Sequence, residues 1–170
     1  DPAQSPSIST VPDVLRDSLM ARLDRVPRGR RVAEIASVMG REFSYAMLVE
    51  IASLDGAALD TTLGLLVKGE IIHQVEREPF VRFAFTHALL RDVAYESLLK
   101  SSRREVHAKV ADAIQRASPE VAIDQPELLA YHLTAAGQAT AAIPYWQQAG
   151  TLALQRFALN EAIAHLNQGM

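Results

Sequence analysis

Up to Gly69, apolar residues recur at helical spacing. Val14, Leu15, Leu19, Met20 and Leu23 form one stripe behind Thr10-x-x-Asp13, whose spacing suits a capping pair, and Pro27 closes the run. A second helix is predicted from about Arg28 to Met39, with Val32, Ile35, Ala36 and Met39 inward and Gly40 as its C-terminal cap. Ser44 and Asp55 stand where they cap two more helices. Leu48, Ile51 and Ala52 form the buried side of the first, and Leu59, Leu63, Leu66 and Val67 that of the second. The period then shortens. Ile71 to Val75 is β-rich, Glu76-Arg77-Glu78-Pro79 is a polar turn, and Phe80 to Phe85 alternates large apolar residues with others, which predicts one β-hairpin. Helical spacing returns from about His87 to Leu99, with Leu89, Leu90, Val93, Ala94 and Leu98 packing. A further helix is expected to start at Ser102-x-x-Glu105, a second capping box, and to end at Ser118-Pro119.

Helices, a hairpin and another helix follow one another in the order of a winged-helix domain, here residues 10–118 behind a polar, proline-containing lead-in at 1–9. Residues 119–124 are expected as a linker, and 125–170 as alanine-rich helices holding single large residues. Pro126 to Ala136 and Ala139 to Phe157 make two of these, with a turn at Gly137. Ala-Ile-Pro-Tyr-Trp at 142–146 and Ala-Ile-Ala-His-Leu at 162–166 are related pentamers 20 residues apart. Small residues facing large ones suit close antiparallel pairs of the tetratricopeptide (TPR) kind, with Tyr145, Trp146, Leu152 and Ile163 in the core. The last helix should expose an apolar face that a following repeat would cover. The fold class expected is therefore mainly α: a winged-helix-like domain with one hairpin, followed by antiparallel TPR-like helices.

Composition narrows the function. Among 170 residues, 49% are hydrophobic and 22% charged, enough for a core, and no apolar run approaches the ~18 residues of a membrane span. A formal net charge of −3 argues against holding nucleic acid or an anionic membrane by bulk electrostatics. The absence of cysteine excludes disulfides, thiolate metal sites and a cysteine nucleophile. The chain opens on Asp1-Pro2 without a methionine, from which a longer parent protein is expected.

No catalytic constellation emerges. Gly64 and Gly69 have the spacing of a phosphate-binding loop, but Glu70 stands where lysine must neutralise phosphate, so that motif is rejected. Glu161 and His165 lie four apart, a pairing far more often a solvated helix face than a metal site. The helix that would enter a DNA groove, Asp55 to Lys68, carries two aspartates and one lysine and no Arg, Asn or Gln to read base edges. Arg28, Arg30, Arg31, Arg77 and Arg82 could touch phosphates, although scattered arginines are more often plain solvated surface. His87 falls where a strand hands over to a helix, so its imbalance of roles is narrow: it either donates to an anion at the helix start or satisfies backbone groups at the junction.

Val11-Pro12-Asp13 through Asp24, Gly40 to Ser44, Phe83 through Leu98, Arg103-Arg104 with His107, and Ala142 to Trp146 with Ala149-Gly150 together resemble one family. It is the signal-transduction ATPases with numerous domains (STAND), particularly the bacterial branch joined to class III adenylate or guanylate cyclase domains or to LuxR-type DNA-binding domains. The resemblance covers the chain from about residue 10. It implies a non-catalytic cytoplasmic segment whose winged helix packs back on nucleotide bound by an upstream domain of the same chain. It also implies a repeat array that binds a protein or small-molecule inducer. The parent would use ATP or ADP with Mg, and the segment itself no cofactor. In that family a Met-His-Asp histidine contacts the nucleotide phosphates. Thr86-His87-Ala88 occupies the corresponding place, and only the histidine matches. The competing readings are a winged-helix transcriptional regulator and a free-standing helical adaptor.

Overall fold

The computed structural model describes residues 13–76, 81–117 and 119–169. Within them lie ten helices and three strands. The helices α1 (Asp13–Asp24), α2 (Gly29–Met39), α3 (Tyr45–Ala52) and α4 (Gly56–Lys68) come first. The short strand β1 (Glu42–Ser44) precedes α3, and the hairpin β2 (Ile72–Glu76) and β3 (Arg82–Phe85) follows α4. Then come α5 (Ala88–Ser97), α6 (Lys100–Ala117), α7 (Pro119–Asp124), α8 (Pro126–Ala135), α9 (Ala139–Gln155) and α10 (Leu159–Gln168). The molecule is mainly helical with a small antiparallel sheet in the order β1-β3-β2.

Local chemistry fixes the helix ends. The Ser44 hydroxyl accepts from the Met47 amide at 3.5 Å, and the Asp55 carboxylate from the Ala58 amide at 2.8 Å, each satisfying a first-turn donor that the helix cannot. Gly40 ends α2 at φ 131°, a conformation a side chain would strain. Thr10, the expected cap of α1, lies outside the described residues.

α2 is the centre of the core. Its Val32, Ala33, Ile35, Ala36 and Val38 are buried, and it packs against α1, α3, α4, α5 and α6. The sheet closes one side. Phe43 pairs across the ladder with Phe83 with rings 6.0 Å apart, and its ring lies 5.8 Å from that of Phe85. β2 and β3 pair with a bulge between Gln74 and Glu76 opposite Phe83 and Arg82.

The structure differs from the sequence reading at four places. The hairpin gains a third strand, because Glu42-Phe43-Ser44 is too short to show a period yet can pair with β3 across 40 residues of chain. The helix expected to start at a Ser102 capping box starts instead at Lys100, so Ser102 lies inside α6. From the first turn of α6 the Arg103 guanidinium donates to the carbonyls of Tyr95 (3.1 Å) and Leu98 (3.2 Å), closing the end of α5. Residues 119–124, expected as a linker, form α7, packed against α6 and α8. Ile163, expected in the core, is 58% exposed, while Ala162 one position earlier is buried against α9. Trp146 is buried and Tyr145 and Leu152 half-buried.

α8, α9 and α10 stack in sequence order. Gly150 makes the last step possible, since a Cβ there would lie 2.7 Å from Leu166 of α10.

Candidate functional site

His87 is the residue that hands β3 over to α5. Its backbone is extended (φ −131°, ψ 138°) and its carbonyl accepts the first helical bond from Leu90 at 3.0 Å. Its side chain accepts no amide of the first turn and is exposed. The neighbouring Thr86 donates its amide to the Ile71 carbonyl at 3.0 Å, tying this junction to the start of the hairpin. In front of it lies an open cleft of about 520 Å³ lined by Arg22, Glu70, His73, Thr86 and His87 with Val67 and Ile72. Arg22 is held there by a 3.0 Å hydrogen bond to the Gly69 carbonyl at the end of α4. Two imidazoles, a guanidinium and a hydroxyl thus share a cleft with a helix N-terminus, an arrangement suited to an anion. Glu70 is the one group on its rim that opposes such a ligand.

The groove-facing candidate for DNA is differently made. The outer face of α4 presents Gly56, Ala57, Asp60, Thr61, Gly64, Leu65 and Lys68, and Asp60 accepts a 2.6 Å hydrogen bond from the Tyr45 hydroxyl. That bond also holds the Tyr45 phenol above its usual pKa. Arg82 is paired with Glu42 at 3.1 Å, Arg30 with Glu34 at 3.1 Å, and Arg31 with Glu34 at 3.8 Å. Arg28 occupies the position before α2 with φ 60°, and Arg77 lies outside the described residues. Three of the arginines proposed for phosphate contact are therefore already occupied by carboxylates. The Glu161 and His165 pair also has another use, as the His165 ring stacks on Trp146 at 5.5 Å. Among the described residues no cluster of three or more metal-ligating side chains occurs.

A polar cluster that spacing did not reveal joins α5, α6 and α8. His107 and His132 are buried and meet Nδ1 to Nδ1 at 2.9 Å, while the Tyr95 hydroxyl lies 3.2 Å from His107 Nε2. The Tyr131 ring packs edge-on against His107. Arg103 and Arg91 stack over the Tyr95 ring, 4.3 and 5.0 Å from its centroid. Desolvation, with Arg103 and Arg91 nearby, lowers the His107 pKa to about 4, and desolvation, with His107 adjacent, lowers that of His132 to about 3. Two neutral imidazoles can share one proton between their Nδ1 atoms, which makes the pair a hydrogen-bonded pin between helices. The one signal in sequence is that each sits in an apolar stripe, His107 between Val106 and Val110 and His132 between Leu129 and Leu133.

Comparison with known proteins adds one relative. Over 153 residues the chain is 24% identical to an uncharacterized protein of Rhizobium meliloti (strain 1021). The match takes in 89% of this chain and 15% of that protein, so the chain spans a small part of the relative's length. No protein family and no solved structure matches the chain.

Proposed function

We propose that the chain is a non-catalytic regulatory segment of a STAND-type signalling ATPase, cyclase-linked in its parent, in which residues 10–118 act as a winged-helix switch and 125–170 begin a TPR-like array. The observation that carries this reading is the cleft at the start of α5, where His87 stands free of capping duty beside His73, Arg22 and Thr86. An upstream nucleotide-binding domain of the same chain would present ADP to it, and these side chains would meet the terminal phosphate. Nucleotide with Mg belongs to that upstream domain; this chain supplies donors to the phosphate end only. Against the transcriptional-regulator reading stands the α4 face, which offers Asp60 and small residues where base-reading donors are needed. The exposed apolar residues of α10 support continuation of the array, which would take a protein or small-molecule inducer.

The test is His87→Ala in the full-length parent. Co-purified ADP should fall about tenfold and output activity rise, a coupling change of about 1–3 kcal/mol. Wild-type ADP occupancy together with wild-type output would reduce His87 to a structural residue. The isolated segment should bind ADP negligibly.

A further inference from the structure

Where α8 packs on α6, the joint combines a few apolar side chains with one buried polar chain. α8 brings Leu129, Ala130 and Leu133, all buried, and His132, 1% exposed. His132 Nδ1 meets His107 Nδ1 of α6 at 2.9 Å, and His107 Nε2 meets the Tyr95 hydroxyl of α5 at 3.2 Å, so three helices share one run of hydrogen bonds. Apolar packing is interrupted beside it. A space of about 400 Å³, lined by His132, lies between β1 and α3 on one side and α6, α7 and α8 on the other. The tie from α6 to α9, Gln115 to the Tyr145 hydroxyl at 3.2 Å, is exposed and adds little. A contact between two Nδ1 atoms holds one proton, donated by one ring and accepted by the other, and two charged rings would set donor against donor. The surroundings offer a charge no partner. Arg91 of α5 and Arg103 of α6 stand beside His107, and Tyr131 of α8 packs its ring edge-on against it. Glu42 and Glu50, on the cavity that His132 lines, are already paired with Arg82 at 3.1 Å and Arg116 at 3.2 Å. Burial accordingly lowers the pKa of both rings.

We propose that the Tyr95, His107 and His132 chain is an acid-released latch: with both imidazoles uncharged it holds α8, and α9 and α10 stacked behind it, against α6, and when the imidazoles take up protons α8 to α10 separate while α1 to α6 and the sheet stay folded. Release at this joint rather than general unfolding follows from its make-up. The core around α2 contains no buried imidazole, whereas the joint has two in contact and a space of about 400 Å³ at their side. Separation returns both rings to water, where each binds a proton below about pH 6.5. Below that pH the ratio of released to docked chain therefore rises about tenfold per pH unit for each histidine, about a hundredfold for the two. The latch would let acidity set whether the C-terminal helices lie against the rest of the chain. It rests on this joint alone and stands whether or not the chain belongs to an ATPase.

Energy transfer across the joint tests the latch on the 170-residue chain, which has no cysteine of its own. Ala57→Cys on α4 and Gln147→Cys on α9, both exposed positions, carry the two dyes. Transfer should hold its value above about pH 7 and depart from it as the pH is lowered towards 4, with up to two protons taken up, while far-ultraviolet circular dichroism keeps its neutral-pH signal. The double variant His107→Leu with His132→Leu should hold its transfer over the same range. Histidine ring NMR of the unsubstituted chain gives a reading that depends on no variant: the His107 and His132 signals should titrate together, at the pH where transfer changes. Transfer that stays constant to pH 4, that changes only as helicity is lost, or that changes equally in the folded double variant would overturn the latch. So would rings that titrate at a different pH from the change in transfer.

Discussion

In water an imidazole titrates near pH 6.5, but burial, with Arg103 and Arg91 nearby, holds His107 neutral to about 4, and burial, with His107 adjacent, holds His132 neutral to about 3. Between those values the unfolded chain binds more protons than the folded one. Stability is therefore complete above about pH 6.5 and is lost as the pH falls towards 4, at up to about 1.4 kcal/mol per pH unit for each histidine. Urea midpoints taken from about pH 7 down to about pH 5 should fall accordingly, and the double variant His107→Leu with His132→Leu should flatten the curve. A wild-type midpoint constant over that range contradicts the buried neutral pair. Sequence could not show this pair. Its members are 25 residues apart, and only the packing of α6 on α8 brings the rings together. His87 is the contrary case, since its place depends on a change of period within a few residues, which the sequence carries. That the cleft before it also holds Arg22 and His73 depends on tertiary packing, and the sequence held no sign of it.

Helices with a cap and a stripe were legible because both signals are local: Ser44 and Asp55 bond amides three residues on. β1 and α7 were not, since one is defined by a partner strand 40 residues away and the other by the helices on either side. In the C-terminal helices the pentamers placed the small residues correctly, with Ala142 and Ala162 both 1% exposed, but Ile163 points away from α9. The contact of α9 with α10 is set by Gly150, where a Cβ would meet Leu166 at 2.7 Å. Gly150→Val should destabilise by roughly 1–3 kcal/mol through overpacking, read as a lowered thermal midpoint, and an unchanged midpoint would show that α10 is not docked there. Trp146, the chain's one tryptophan, is 8% exposed and donates to the Thr134 hydroxyl at 3.0 Å. Its native emission should be blue-shifted from that of the urea-unfolded chain, and Trp146→Ala should cost about 3–5 kcal/mol. A native spectrum matching the unfolded one would refute the packing of α8 on α9.

Across the whole molecule, charge and exposed apolar surface separate the readings of function. With a formal net charge of −3 and Arg30, Arg31 and Arg82 paired to carboxylates, duplex DNA should bind no tighter than nonspecifically. Sequence-selective binding with a steep salt dependence in an anisotropy titration would restore the transcriptional-regulator reading. Phe157, Leu159 and Ile163, at 90%, 63% and 58% exposed, make the end of the helical stack apolar. At the start of α5, the proposed switch has nucleotide phosphate meet Arg22, His73, Thr86 and His87. Hydrogen exchange on the full-length parent, with and without ADP, reads this contact. Residues 86–91 and the β2 segment should gain protection in the ADP state while α8 to α10 stay unchanged, and exchange at 86–91 indifferent to ADP would contradict it.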